Sequence, residues 1–301
     1  MARFTIYPFT CTIAGPATLT FDQLKNMGLT LNTQQMAHIP GGAVDVACNY
    51  MSNAAPEATF TTHDLAKFFG ACGPGSVVPF TAGTAYMIER DLSGALANTG
   101  SSWAIAKGTI VPRSLSANQN DVEGAGLQMA MVILDDGTNA PIVRASVASM
   151  SALSIPPACN SRFYMGPTYF NSVQVPNIES TSIDFGVNYD AKGFNGNPYP
   201  TEGSIVTRRP SISLTTTAMA VDHALDPFMR SAGGAIDVYF QKGSPGTDRV
   251  AAATAEHIKI SATAGTVTSD SVNVQDNNDG TMTLTITPYG QLSVSTTSTI
   301  P

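Results

Sequence analysis

Four histidines are the side chains of this sequence best suited to acid–base catalysis or to binding a metal ion. They are His38, His63, His223 and His257. No pair has the H-x-x-x-H spacing that places two imidazoles on one face of a helix. His63-Asp64 and Asp222-His223 each fall where a helix is predicted, so we expect structural roles for both. The histidines therefore predict no catalytic, cofactor-binding or metal site.

The four cysteines show no motif either. Cys11, Cys48, Cys72 and Cys159 lie far apart in the sequence, and none belongs to a C-x-x-C pair. This spacing favours neither a zinc ribbon nor a thioredoxin-like redox motif. We expect free and mostly buried thiols.

Two glycine-containing segments resemble ligand-binding loops only in part. Gly73-Pro74-Gly75-Ser76 lacks the Lys-Ser/Thr pair of a phosphate loop. In the segment 276–281, the glycine comes at the fifth and not the sixth position of a calcium loop, and no Glu follows at the twelfth. We interpret both segments as turns. Since the sequence also lacks a G-x-S-x-G nucleophile elbow, we do not expect an enzyme.

The composition indicates an ordered and weakly charged protein. Of 301 residues, 43% are hydrophobic and 12% are charged, with a net charge of −7 and a pI of about 4.9. Charged residues usually make up about 25% of a globular protein, so much of this surface must be uncharged. A disordered chain would combine low hydrophobicity with high net charge. The acidic balance also argues against tight binding of phosphates by counterion release.

Neither a membrane span nor an export signal is predicted. The longest nearly apolar stretch, 126–134, is about half of the roughly 20 residues that a membrane-spanning helix requires. The first ten residues contain one Arg but no apolar core followed by a small-residue cleavage site. We therefore expect no membrane contact and no Sec-type export.

Apolar and polar residues alternate along much of the chain, which predicts a mainly β protein. Ile183, Phe185, Val187 and Tyr189 alternate with polar or small residues and predict one strand over 182–189. Similar patterns occur at Ile212/Leu214, Ile258/Ile260, Val272/Val274, Met282/Leu284/Ile286 and Leu292/Val294. The runs 127–134 and 142–147 flank Asp135-Asp136-Gly137-Thr138, which predicts a hairpin because Asp-Gly accepts the positive φ of a tight turn.

Only two short helices are predicted, one in each half of the chain. Thr62 is expected to cap a helix over 63–69 that ends at Gly70. The second helix covers Ala218–Met229, where Pro227 disturbs the last turn. Each helix would flank one β domain.

Three local matches relate the two halves at an almost constant offset. Residues 56–62 align with 210–216, 85–88 with 237–240, and 108–115 with 265–272. They predict two tandem β-sandwich domains of about 150 residues each, a usual domain size. The Pro-rich segment Ile155–Asn160 is the expected linker, which places the domains at 1–155 and 156–301. The alternative is a single large β-sandwich.

Residues 183–217 combine several features of one known family. A strand, Ile183–Val187, leads into a segment rich in Gly and Asn, and Tyr199-Pro200-Thr201 leads into a strand that ends in Arg209-Pro210-Ser211-Ile212. This segment resembles the tail tube proteins of long-tailed bacteriophages. Residues 256–287 are similar to the last strands of that family. The resemblance covers about the last 120 residues, and the repeat extends it to the first half.

The resemblance implies an assembly. In that family each tube domain is a β-sandwich with a flanking helix, and six domains in a ring join their sheets around a lumen. A chain with two such domains would form trimeric rings with pseudo-sixfold symmetry. The rings would stack into a tube for genome delivery, and a long hairpin near Asn188–Pro200 would reach the neighbouring ring.

The same resemblance implies location and partners. The protein would be made in the host cytoplasm and reside in the virion tail, in contact with itself and with other tail proteins. DNA would pass through a predominantly acidic lumen without specific binding, since a basic lining would hold the phosphates.

Two other classes of function stay open on the sequence. A binding module, such as a receptor-binding, distal-tail or capsid-decorating virion protein, would usually expose aromatic residues in its loops, and Trp103 is the only tryptophan. A hydrolase on a β scaffold is disfavoured because nucleophile and metal motifs are missing. Rings or filaments of uniform bore would distinguish a tube protein from both classes.

Overall fold

Antiparallel β-strands form most of the protein, as the alternating sequence predicts. A computed structural model describes residues 5–15, 18–38, 41, 48–90, 96–147, 162–194, 196–217, 234–244, 249–273 and 280–301. The predicted linker 155–160, the predicted helix 218–229 and residues 276–279 of the predicted turn lie outside these ranges. Within them, no helix has the length and apolar character needed to cross a membrane.

The first half of the chain contains one short helix and twelve strands among its described residues. In chain order these are β1 (Thr5–Ala14), β2 (Leu19–Phe21), β3 (Leu24–Thr30), β4 (Thr33–His38), β5 (Cys48–Ala54), β6 (Glu57–Thr62), α1 (Leu65–Ala71), β7 (Val78–Phe80), β8 (Ala82–Arg90), β9 (Leu96–Ile105), β10 (Lys107–Asn118), β11 (Gly126–Leu134) and β12 (Ile142–Val147).

The described residues of the second half form strands in a similar succession. They are β13 (Phe163–Phe170), β14 (Val173–Gln174), β15 (Ile178–Asp184), β16 (Val187–Lys192), β17 (Glu202–Arg208), β18 (Ser211–Thr216), β19 (Ile236–Lys242), β20 (His257–Ala262), β21 (Gly265–Asn273), β22 (Thr281–Pro288) and β23 (Ser293–Ser298).

The strands build three large sheets and two separate hairpins. A nine-stranded sheet has the order β21-β22-β18-β15-β10-β11-β6-β3, with β7 paired to β10. Two five-stranded sheets have the orders β12-β9-β8-β1-β2 and β14-β13-β19-β20-β23. The hairpins are β4–β5 and β16–β17. The nine-stranded sheet is therefore the element that both halves share.

One continuous apolar core lies between the sheets. Phe21 of β2 and Phe60 of β6 are both buried, with ring centroids 5.6 Å apart, so a five-stranded sheet packs on the nine-stranded one. In β22, Met282, Leu284 and Ile286 are buried and the threonines between them are not, which confirms the predicted alternation. Each large side chain buried in this way contributes about 1.5–3 kcal/mol to folding.

The strand predicted over 182–189 is interrupted at Gly186. Here β15 ends at Asp184 and β16 begins at Val187. Gly186 has a φ of 57°, and its N–H donates to the Asp184 carboxylate at 2.8 Å. The chain therefore leaves the nine-stranded sheet and enters a hairpin. The prediction of a single strand was wrong because alternation of side chains carries no signal for a change of backbone direction.

The predicted hairpin around Asp135–Thr138 is also wrong. Gly137 has the expected positive φ of 78°. However, β11 pairs with β10 and β6, whereas β12 pairs with β9 in another sheet, so the turn carries the chain between sheets. Hydrogen bonds from the Asn139 backbone and side chain, and from the Thr138 N–H, lower the pKa of Asp136 to about 2. These bonds stabilise the turn without strand pairing.

The helix α1 is present, but its predicted ends are wrong. It begins after Asp64 and includes Gly70, which was expected to end it. The Asp64 carboxylate does not cap the helix, because it accepts hydrogen bonds from the backbone N–H groups of Asp22 and Gln23 at 2.7 and 3.0 Å. Thr62 Oγ accepts the Asp64 N–H at 3.1 Å. These contacts fix the helix to the chain between β2 and β3.

Replacing Gly186 with alanine tests the bend between β15 and β16. A Cβ atom at this position would lie 1.9 Å from the Arg209 carbonyl oxygen, and the positive φ adds further strain. We expect a loss of about 3 kcal/mol or more in the free energy of unfolding. The control is Gly137→Ala, which has a similar φ and no atom within 4 Å of its Cβ, so about 1 kcal/mol is expected. Urea unfolding measures both, and equal losses would contradict the steric account.

Candidate assembly interface

The two halves of the chain are joined by backbone pairing between β10 and β15. Five residue pairs form this ladder, from Ser114 opposite Asp184 to Asn118 opposite Ser180. Beyond its ends, the Phe185 N–H donates to the Arg113 carbonyl at 3.0 Å and the Gln119 N–H donates to that of Glu179 at 2.7 Å. This ladder makes the strands on its two sides one continuous sheet.

The strands on the two sides of this join have the same order. Within the nine-stranded sheet, the first half contributes β3-β6-β11-β10 and the second half contributes β15-β18-β22-β21. The five-stranded sheets are β2-β1-β8-β9-β12 and β14-β13-β19-β20-β23. Corresponding strands also occur in the same order along the chain in the two halves. The internal match predicted from sequence thus coincides with matching topology.

Irregularities in the ladders correspond as well. β3 opposite β6 and β15 opposite β18 are each interrupted after their first residue, Leu24 and Ile178, which lie opposite Thr62 and Thr216. The hairpins are interrupted at Gln34/Gln35 and Asn188/Tyr189. Asn32 and Gly186 both have positive φ values, 40° and 57°. Residues 24–62 therefore correspond to 178–216 without insertion.

The match proposed between 85–88 and 237–240 is displaced by one residue. Gly108 of β10 lies opposite Ile133 of β11, and Gly265 of β21 lies opposite Pro288 of β22. Ile133 and Pro288 are counterparts, because β11 pairs with β6 as β22 pairs with β18. Gly108 and Gly265 therefore occupy the same position. Three residues earlier, Ile105 pairs with Gly83 and Ala262 pairs with Ile236. Ala85 thus corresponds to Val238 and not to Asp237. A shift of one residue exchanges the two faces of a strand, which is why the sequence match was weak there.

The nine-stranded sheet ends in two open edges, β3 and β21. Within the described part of the chain, β3 pairs along one side with β6, and β21 pairs along one side with β22. Unpaired edges expose backbone N–H and C=O groups that can bind another strand. β3 corresponds to β15 and β21 corresponds to β10, so the open edges are the counterparts of the two strands that pair at the join.

The hairpin β16–β17 folds over the first half of the chain. The Tyr189 hydroxyl contacts Thr109 Oγ at 3.0 Å, and the Lys107 ammonium donates to the Thr201 carbonyl at 3.0 Å. Nearer the tip, the Asp135 N–H donates to the Pro200 carbonyl at 2.8 Å. A cavity of about 710 Å³ remains between the hairpin and β7, β10 and β11. Within one chain, the segment expected to reach a neighbouring ring thus packs on the adjacent half.

Residues buried at the join have exposed counterparts at the two ends of the sheet. Phe185 is 1% exposed, and its ring lies 6.3 Å from that of Phe69 in α1, whereas its counterpart Leu31 is 50% exposed. Leu134, which lies at the cavity beneath the hairpin, is 4% exposed, whereas its counterpart Tyr289 is 50% exposed. The surfaces that cover each other inside the chain are therefore uncovered at its two ends.

The outer face of the nine-stranded sheet is lined with hydroxyl groups. Thr285, Ser213, Ser182 and Ser116 lie opposite one another in a row across four neighbouring strands. Thr283, Thr215, Ser180 and Asn118 form the next row. Most of these side chains alternate with buried residues, which are apolar except for Thr181 and Thr216. These two rows contain no charged residue, and the row beside them contains one, the exposed Asp184.

Two of the histidines, His63 and His257, make hydrogen bonds to the backbone, and His38 is the last residue of β4. The His63 ring nitrogen Nδ1 lies 2.9 Å from the Ala125 carbonyl. His257 is fully buried, accepts the Lys242 N–H at Nδ1 and donates from Nε2 to the Ala251 carbonyl, at 3.1 and 3.0 Å. Among the described residues, no group of three or more His, Cys, Asp and Glu side chains is arranged to hold a metal ion. His223 lies outside the described residues.

The three cysteines in the described ranges are free, and they differ in burial. Cys11 is buried, Cys72 is partly buried and Cys48 is exposed, so the expectation of mostly buried thiols holds for only part of them. Burial raises the pKa of both Cys11 and Cys72 to about 12. Those two thiols are therefore protonated at neutral pH.

No known family model matches this chain, and no curated protein is similar to it at a significant level. The features that bear on function are thus the join between β10 and β15, the two open edges and the hydroxyl-lined face.

Alanine substitution of Phe185 tests the energetic weight of the join. Removing a buried phenylalanine ring usually costs about 3–5 kcal/mol, and Phe185 is almost fully buried. Its counterpart Leu31 is half exposed in the single chain, so Leu31→Ala is expected to cost about 1 kcal/mol or less. Urea unfolding of unassembled protein measures both values. If the two substitutions cost the same, Phe185 does not contribute to the join as described.

Proposed function

We propose that this chain is a structural protein of a phage virion that polymerises into a tail tube, a stack of rings through which the genome is delivered. The observation that carries the proposal is the continuous sheet formed across β10 and β15 by two halves with the same strand order. In the tail tube family that this sequence resembles, rings are built by joining such sheets side by side. The proposed role is structural and not catalytic.

The proposal includes a division into two tube-type domains, residues 1–155 and 156–301. The corresponding strand orders and ladder irregularities support it. If six domains form a ring, three copies of this chain suffice, giving pseudo-sixfold symmetry. A covalent join also reduces the number of separate bodies that each ring must order, which lowers the entropic cost of assembly.

The hydroxyl-lined face suits the inner wall of such a ring. A polyanion binds protein surfaces largely through Lys and Arg that displace condensed counterions. The rows of Ser, Thr and Asn across the outer face of the sheet have no such cations. The next row of the same face carries the exposed carboxylate of Asp184. DNA would therefore contact a wettable surface with few charges and pass along it without specific binding. In this proposal the protein resides in the tail, contacts other tail proteins and has no membrane partner.

Electron microscopy of the purified protein tests the assembly. We expect rings or filaments of uniform bore, with three chains in each ring. A reconstruction that shows six chains in each ring would contradict the duplicated-domain arrangement, because the second half would then be an addition to the ring. Discrete particles without rings under all assembly conditions would instead support the binding-module class, such as a receptor-binding, distal-tail or capsid-decorating protein.

Chemical labelling tests which face lines the lumen. Ser182→Cys places a thiol in the hydroxyl rows, and Val143→Cys places one on β12, at the edge of a five-stranded sheet. Both variants need Cys48→Ser and Cys159→Ser, because Cys48 is exposed and Cys159 lies outside the described residues. In assembled tubes, a bulky polyethylene-glycol maleimide should modify position 143 and not position 182, while both react in the unassembled protein. Equal labelling of the two positions in intact tubes would place the hydroxyl rows outside the lumen.

A further inference from the structure

We propose that copies of this chain join by pairing β21 of one copy with β3 of the next, in the register that β10 and β15 use within the chain. This inference deepens the proposed function and rests on its premise that copies close into rings. Each open edge is thus occupied by a second copy: β21 by the neighbour's β3, and β3 by the β21 of the neighbour on the other side. The contact is heterologous, and a ring closes when the rotation between copies is an integral fraction of a turn.

The correspondence of strands fixes the register on β21. Ser114 of β10 lies opposite Gln128, which lies opposite Thr61. Ser271 of β21 occupies the same place, because it lies opposite Thr283, which lies opposite Thr215. Thr61 and Thr215 correspond in the two halves. Ser271 is therefore the counterpart of Ser114.

The same correspondence fixes the register on β3. Asp184 of β15 lies opposite Ser211 of β18, and Thr30 of β3 lies opposite Glu57 of β6. Because Ser114 pairs with Asp184 inside the chain, Ser271 should pair with Thr30 of the next copy. Val272 then lies opposite Leu29.

The exposed side chains at both ends fit this contact. Leu31 follows β3 directly, and its counterpart Phe185 packs on Phe69 of α1 across the join. In the proposed contact, Leu31 would be covered by the second half of the neighbouring copy. Exposed apolar residues at the ends of a sheet are expected where another chain completes the fold. The half-exposed side chain of Leu31 thus gains a partner surface.

The hairpin β4–β5 should make the second part of the contact. It has the geometry of β16–β17: Thr33 lies opposite Ala54 at its base, as Val187 lies opposite Arg208, and both ladders are interrupted one pair further on. Since β16–β17 covers Leu134, β4–β5 of the next copy should cover the counterpart, Tyr289. The same contact between copies would then bury both Leu31 and Tyr289.

Backbone geometry identifies a pair suited to cross-linking. The bonds from Phe185 to Arg113 and from Gln119 to Glu179 identify the hydrogen-bonded pairs of the join, and Ser114–Asp184 falls between them. Cα atoms in such non-hydrogen-bonded pairs are about 4.5 Å apart. That distance lies within the range of a disulfide. In the proposed contact, Ser271 and Thr30 would likewise form a non-hydrogen-bonded pair.

The test uses the full chain with Thr30→Cys and Ser271→Cys, in a background of Cys48→Ser and Cys159→Ser. Under mild oxidation of assembled protein, non-reducing electrophoresis should show a closed covalent species of three chains. Ser114→Cys with Asp184→Cys is the positive control, since it should form a disulfide within one chain. Gly28→Cys with Ser271→Cys is the register control, and about tenfold less cross-link is expected because diagonal neighbours are about 7–8 Å apart.

The outcomes separate this inference from the proposed function. Rings that form but cross-link no better through position 30 than through position 28 would overturn the register and leave the tube proposal standing. A chain that forms no rings or filaments would overturn both. Efficient cross-linking through Thr30 and Ser271 in rings supports both.

A second variant pair tests the apolar part of the contact without a disulfide. Leu31→Asp should weaken assembly about tenfold or more, since it places a charge where an apolar side chain is to be buried. Val143→Asp introduces the same charge at an equally exposed position that lies on neither β3 nor β21. Sedimentation measures the protein concentration at which rings form, and circular dichroism checks that both variants fold. Equal effects of the two substitutions would contradict the burial of Leu31.

Discussion

The pairing of β10 with β15 is the constraint on which the rest of the structure depends. An antiparallel sheet that is not closed always has two edges, and each edge exposes backbone groups that need partners. Here one potential edge from each half is satisfied by the other half. Among the described residues, the two edges without a neighbouring strand are β3 and β21, which correspond to the pair already joined. The internal join therefore shows, in one chain, what a contact between chains can look like.

The same sheet explains the low charge of the protein. Strands with one buried face need apolar residues at alternate positions, and β-branched threonine is favoured in the positions between them. In β22 this produces a strict succession of threonines and buried apolar residues. A face of this kind is hydrated through hydroxyl groups and not through charges. A composition that is unusual for a freely soluble domain is thus consistent with a wide sheet exposed to water on one side.

The sequence predicted the parts of the fold that depend on side-chain burial, and it missed those that depend on backbone geometry. The strands containing Leu127, Ile212 and Leu284 were predicted because burial on one face produces alternation. The bend at Gly186 was missed because the alternation of side chains continues through it. The change of sheet after Gly137 was missed because a positive φ is compatible with either a hairpin or a change of sheet. The open edges required knowledge of strand order, which no local pattern provides.

Residues at the join between β10 and β15 differ from their counterparts at the two ends of the sheet, and the difference matches the different requirements of the two surfaces. The join inside the chain forms during folding and is permanent, so it can use a fully buried Phe185. In the proposed assembly, the open ends must remain soluble until another copy binds, and large exposed apolar groups promote unspecific association. At these ends Phe185 is replaced by the smaller Leu31, and Leu134 is replaced by Tyr289, whose hydroxyl donates to Thr266 Oγ at 3.2 Å. Lys25, in the edge strand β3, forms an ion pair with Glu123. Charge on an edge strand opposes unspecific pairing, which in the proposed assembly keeps the edge selective for a second copy with the complementary surface.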